Sequence, residues 1–138
     1  MNDVLLNKKV SLERCVRQVR EYFRLETGRP FEEDFLRQDA IAMNLQRAAE
    51  LCIDMANYLV RKHKLGLPQD SRESFSMLQD AGLIDAELAA HLKGMVGFRN
   101  VLVHEYRKLD LNILLEVVEH RLDDLLRFAQ LALEAGDG

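Results

Sequence analysis

At 138 residues the chain is long enough for one domain with a real core and too short for two. Its residues are 48% hydrophobic and 30% charged, and with only two prolines and seven glycines they favour long regular elements in an ordinary globular protein. The net charge of −4 excludes a protein that coats nucleic acid by charge alone, and no apolar run approaches the roughly 18 residues of a membrane span.

The first nine residues, Met1 to Lys9, hold no hydrophobic stretch of signal-peptide length, so a cytoplasmic location is the expectation. A first helix is predicted from about Asn7 to Leu25. Leu12, Cys15/Val16, Val19 and Tyr22/Phe23 repeat at the three-four spacing of one buried face, and Gly28 and Pro30 mark the turn that follows. Arg14, Arg17, Arg20 and Arg24 share about a third of this helix's circumference. They form either a solvated face or an edge that tracks phosphates.

A long second helix is predicted from about Glu33 to Leu65, with Ile41, Leu45, Ala48, Cys52, Met55 and Leu59 as its stripe. Arg61, Lys62, His63 and Lys64 sit in its last turn, opposite the negative end of the helix dipole, and Gly66 and Pro68 stop it. That position accounts for the basic cluster without a ligand and makes His63 structural or solvated. Cys15 and Cys52 both fall on apolar faces, as small buried thiols rather than a disulfide or a zinc site.

A short helix follows from Ser71 to about Gln79, closed by Gly82, and Asp85 caps a further helix that starts at Ala86. Gly94 and Gly97 interrupt it at a cost of about 1 kcal/mol each relative to alanine. They mark either a break or a close backbone approach. Helical spacing resumes from Phe98 to His104. Asp110 caps one last helix with the stripe Leu111, Leu114/Leu115, Val118, Leu122, Leu125, Ala129 and Ala132. No strand-like alternation occurs, so the fold class is all-α: a single domain over 1–138, an up-and-down bundle of four main helices plus short ones.

Chemistry concentrates in Arg99-Asn100-Val101-Leu102-Val103-His104-Glu105-Tyr106. A permanently cationic guanidinium and an imidazole that titrates near neutrality suit phosphodiester chemistry, and the tyrosine adds a hydroxyl that another enzyme can modify. On a straight helix Arg99 and His104 project about 140° apart. They converge on one ligand only through the arginine's reach, an unwound helix end, or a second copy across a two-fold axis. Charge is segregated around the motif. Residues 93–108 hold Lys93, Arg99, Arg107 and Lys108 against Glu105, whereas residues 109–138 hold seven acids and two bases. No Glu-x-x-His pair, Walker-type loop or nucleophile elbow is present, and His63, His91 and His120 lie far apart.

The stretch Gly97 to Tyr106, followed by Leu109-Asp110 and a long helix, resembles the HEPN superfamily. Within it the chain is similar to the toxins of HEPN/MNT toxin–antitoxin pairs, with their Arg-x4-His-x-Tyr signature. Ser71 to Leu78 with Gly82-Leu83-Ile84 resembles the short helix and turn before the motif, and Asn44, Arg47, Glu50 and Asp54 resemble polar positions of the second helix. The resemblance implies a homodimeric, metal-independent endoribonuclease without cofactor, acting on an RNA such as tRNA or mRNA. His104 would be its general acid/base, Arg99 would stabilise the phosphorane, and Asn100 would orient the site. It further implies that a cognate MNT-type nucleotidyltransferase attaches AMP to Tyr106 and silences the toxin. Arg107 and Lys108 would then position substrate phosphates or the incoming nucleotide; equally they are solvated loop charges. The other reading is a non-catalytic bundle that holds a nucleotide or substrate for a separate nucleotidyltransferase subunit.

Overall fold

The computed structural model describes residues 2–137, and among them every regular element is helical. Helix α1 spans Asp3–Arg24, a turn earlier than the apolar stripe suggests. Its cap explains the difference. Asn2 Oδ1 accepts from the Leu5 amide at 3.0 Å while its Nδ2 donates to the Tyr58 hydroxyl at 2.6 Å, so the first turn is tied to the second helix.

Helix α2 spans Phe35–Lys62 behind a 3-10 turn at Phe31–Glu33. Asp34 caps it, accepting from the Arg37 amide at 3.1 Å and from the Thr27 hydroxyl at 2.6 Å. At the other end α2 stops three residues short of the predicted limit. The Leu65 amide reaches back to the Val60 carbonyl at 2.9 Å, and Lys64 rather than a glycine takes the left-handed conformation, φ 54°. Gly66, at φ 134°, serves the next bend.

Helix α3 (Ser71–Asp80) fills the corner between α2 and α4 (Ala86–His104). Capped by Asp85, α4 runs without a break through both glycines. At Gly97 a Cβ would lie 2.6 Å from the Arg72 guanidinium of α3, the far end of an exposed side chain rather than a backbone, and at Gly94 it would meet only open space, so neither glycine marks a close backbone approach. The final segment is two helices, α5 (Leu111–His120) and α6 (Leu122–Gly136), bent at Arg121, whose φ of −114° leaves the helical range. The apolar stripe keeps its phase across the bend, through Leu114, Val118, Leu122 and Leu125, so nothing in the pattern marks it. The guanidinium of Arg121 turns instead to His91, at 3.3 Å, and to Asp124, at 3.7 Å.

Cross-links fix the directions. Lys8 meets Asp54, Arg20 meets Asp123, Arg127 meets Asp85, and Glu50 meets Arg99, so α1, α2, α4 and α5–α6 alternate up and down. The core between them is aliphatic, with Leu12, Leu45, Met55, Leu59, Leu88, Leu92 and Leu114 at most 1% exposed. One aromatic pair, Phe75 on Phe128, meets edge to face at 5.4 Å. His63 is structural, its Nε2 donating to the Ala135 carbonyl at 3.0 Å and closing the end of α2 against α6. Cys15 and Cys52 are both free and buried. No helix among the described residues is long and apolar enough to cross a membrane.

Candidate active site on the last turn of α4

Helix α4 ends at His104 because Glu105 leaves helical geometry at φ −141°, ψ 39°, its amide still bonded to the Val101 carbonyl. A 3-10 turn over Tyr106–Lys108 then carries the chain to Asp110, which caps α5 through the Asn112 amide at 2.8 Å. The motif therefore spans a regular helix end and a tight turn, and its side chains diverge.

Arg99, half-buried, faces α2. Its Nε is buried and lies 3.5 Å from Glu50 Oε1, while Nη1 donates to Asn100 Oδ1 at 3.2 Å. Gln46 also donates to Glu50, at 3.2 Å, so the carboxylate that holds the arginine is itself held. Among the described residues the His104 imidazole is exposed and has neither hydrogen bond nor ion pair. The helix stays regular to this point, so the Arg99 and His104 side chains leave the axis roughly 140° apart. Arg99 and Asn100 are brought together by their hydrogen bond, and His104, four residues after Asn100, lies one turn on along the same side of the helix.

Tyr106 also reaches α2, about three turns nearer its N-terminus. Its hydroxyl donates to Asp39 Oδ1 on the first turns of α2, an interaction with no signal in the sequence because 67 residues separate the two. Burial of the phenol, then the hydrogen bond and negative charge of Asp39, raise its pKa well above the ordinary tyrosine value. The pair opens on a cleft of about 370 Å³ lined by Phe35, Gln38, Arg107, Leu109 and Leu111. Arg107 thus shares a cleft with Tyr106, whereas Lys108 is exposed and only 3.9 Å from Glu105.

A second cleft, of about 350 Å³, separates α1 from α2 and contains all four polar positions singled out on α2, Asn44, Arg47, Glu50 and Asp54. The four arginines of α1 are split by the fold. Arg14 enters this cleft, while Arg17, Arg20 and Arg24 line the opposite groove toward α6, where Arg20 pairs with Asp123 at 2.8 Å. The remaining histidines have partners: His91 Nδ1 lies 3.0 Å from Asp124 and His120 Nε2 3.9 Å from Glu119. Among the described residues no group of three or more His, Cys, Asp or Glu side chains is assembled to hold a metal ion.

A family model described as ribonuclease HepT-like matches residues 12–132. The mRNA nuclease HepT of Shewanella oneidensis is 43% identical over 128 residues, covering 93% of this chain and 95% of that protein. A solved structure of the tri-AMPylated Shewanella oneidensis HEPN toxin in complex with MNT antitoxin matches with a TM-score of 0.90 at 41% identity, over 97% of this chain and 99% of that one. A crystal structure of a toxin–antitoxin with AMP-PNP gives a TM-score of 0.89 at 40% identity, over 96% of this chain and 99% of that one.

Proposed function

The chain belongs to the ribonuclease HepT-like family, and we propose that this ribonuclease cuts RNA as a homodimer through Arg99, Asn100 and His104 and is silenced by AMP attached to Tyr106. The observation that carries the reading is the His104 imidazole, exposed and uncommitted on the last turn of α4, on the same helix as an arginine that Glu50 and Asn100 hold in place.

Two copies related by a two-fold axis along the ends of α4 bring two imidazoles and two guanidiniums to one cleft. One imidazole takes the proton of the ribose 2′-hydroxyl as its oxygen bonds to phosphorus. The P–O5′ bond breaks, and the second imidazole returns a proton to the leaving oxygen. Arg99 neutralises the charge that builds on the non-bridging oxygens. The products are a 2′,3′-cyclic phosphate and a 5′-hydroxyl, and no step requires a metal ion.

The related structures, one of a tri-AMPylated toxin with an MNT antitoxin and one of a toxin–antitoxin with AMP-PNP, support an equivalent partner for this chain. In the transfer, the Tyr106 oxygen bonds to the α-phosphorus of ATP, the α–β bridge breaks, and pyrophosphate leaves. Asp39, already accepting the Tyr106 hydrogen bond, takes the phenolic proton. The attached nucleotide lies two residues from His104 and adds bulk and negative charge where RNA phosphate must sit. Purified protein incubated with total RNA tests the ribonuclease: cleavage is expected, and His104→Ala abolishes it. Cleavage that survives that change overturns the assignment of His104.

A further inference from the structure

Asn44, Arg47, Glu50 and Asp54 point from α2 into the same cleft as Arg14 and Gln18 of α1, about 350 Å³ of mixed polar lining. Its two carboxylates are already engaged. Glu50 holds Arg99 and accepts from Gln46, and Asp54 lies 3.5 Å from Lys8. Its two arginines are not engaged: among the described residues neither Arg14 nor Arg47 has an ion pair or a hydrogen bond. Their positive field is felt at Cys15 between them, whose thiol is pushed up by burial and drawn back down by Arg47 and then Arg14.

Asn44 adds a second, independent feature. It is only 5% exposed, and its Nδ2 donates to the Ala40 carbonyl at 2.9 Å, which fixes the amide's orientation. Its Oδ1 is then a buried acceptor without a donor. Leaving such a group unsatisfied is costly, so a ligand with an N–H or O–H at this point gains the bond the fold leaves open.

We propose that the α1–α2 cleft is an RNA subsite adjoining the Arg99 end of the active site, with Arg14 and Arg47 gripping a backbone phosphate and Asn44 accepting from the base or ribose hydroxyl of that nucleotide. The proposal rests on the ribonuclease reading. Guanidinium pairs suit phosphate through their planar fork, the space is that of one small ligand, and Glu50 is shared by the cleft and by Arg99. No aromatic side chain lines the cleft, so recognition there is by phosphate contact and hydrogen bonding rather than base stacking.

The test is fluorescence anisotropy with a fluorescein-labelled ten-nucleotide single-stranded RNA on the His104→Ala background, titrated at several salt concentrations. Arg14→Gln and Arg47→Gln are each expected to weaken binding about tenfold, the size of one charge-assisted phosphate contact. Each lowers the slope of log affinity against log salt by up to about 0.7, the single-strand value per neutralised phosphate. Asn44→Ala weakens binding with the salt slope intact. Arg24→Gln, in the other groove, is the control for general surface charge. Equal losses for Arg24, Arg14 and Arg47 variants, unchanged affinity for the latter two, or a change confined to the monomer–dimer equilibrium overturns the subsite. If wild-type protein cleaves RNA while these variants bind normally, the subsite falls and the ribonuclease reading stands; absence of any cleavage by the wild type removes both.

Discussion

Replacing His104 by alanine separates folding from chemistry more sharply than any other single change. Among the described residues the ring has no hydrogen bond or ion pair to lose, and it is exposed. Two small effects remain. A cationic ring at a helix C-terminus interacts with the dipole by about 0.3–1 kcal/mol at most, and alanine regains up to about 0.7 kcal/mol of helix propensity. They oppose each other, so the net change in stability is expected within about 0.5 kcal/mol, or roughly 2 °C in Tm for a domain of this size. Loss of a general acid/base removes about 100-fold to 10,000-fold of rate. Single-turnover cleavage of a labelled RNA, run beside a urea melt of the same preparation, reads both numbers. A variant that cleaves within a few-fold of wild type, or one whose activity loss tracks unfolding, refutes the role given to the imidazole.

Three further outcomes follow from the same geometry. With the partner nucleotidyltransferase and ATP, wild-type chain gains mass in AMP units, Tyr106→Phe gains none, and Asp39→Asn reacts about 100-fold or more slowly, the low end of a general-base contribution; in an ultraviolet pH titration the same Asp39→Asn change moves the highest-titrating phenol downward, because the negative charge that helps raise Tyr106 is removed while the amide oxygen still accepts its hydrogen bond. Gly94→Ala, whose Cβ meets open space, stabilises α4 by about 1 kcal/mol in urea unfolding, whereas Gly136→Ala drives its Cβ into Leu5 Cδ1 and destabilises by about 1–3 kcal/mol. Asp85 is held below the ordinary aspartate range by the Leu88 amide and then by Arg127, so its contribution to stability is present above pH of about 4 and lost as acid brings the pH through the lowered value; Asp85→Asn, which keeps the cap, flattens that part of the acid-stability curve.

The all-helical class and the number of main helices were legible because the apolar residues repeat at three and four over long stretches, and because Asp85 and Asp110 cap where a cap was expected. Part of what escaped was set by contacts distant in sequence and part by local backbone choices. The bend at Arg121 leaves the stripe intact and follows the guanidinium's partners His91 and Asp124. The early stop of α2 depends on Lys64 adopting a left-handed conformation that glycine is expected to take. Gly94 and Gly97 read alike in sequence; only the neighbouring Arg72 distinguishes them.

The candidate site divides along the same line. Arg99, Asn100, His104 and Tyr106 are visible in sequence because they are close along the chain and chemically distinctive. Their partners Glu50 and Asp39 lie on another helix, where an acidic residue at a helical position looks like any solvated carboxylate. Those two contacts change the meaning of the motif. Glu50 and Asn100 hold Arg99 beside α2, and in the proposed enzyme a second copy completes the cleft. Asp39, eleven residues before Glu50 on α2, holds Tyr106 at the cleft of Phe35 and Arg107. The proposed acceptor for AMP is therefore adjacent in sequence to the residues assigned to cleavage, but it lines a cleft to which neither Arg99 nor His104 contributes. In the proposed scheme, AMP on Tyr106 silences the enzyme by obstructing the RNA path rather than by consuming a catalytic group. A modified chain that still binds labelled RNA with wild-type affinity is incompatible with that account.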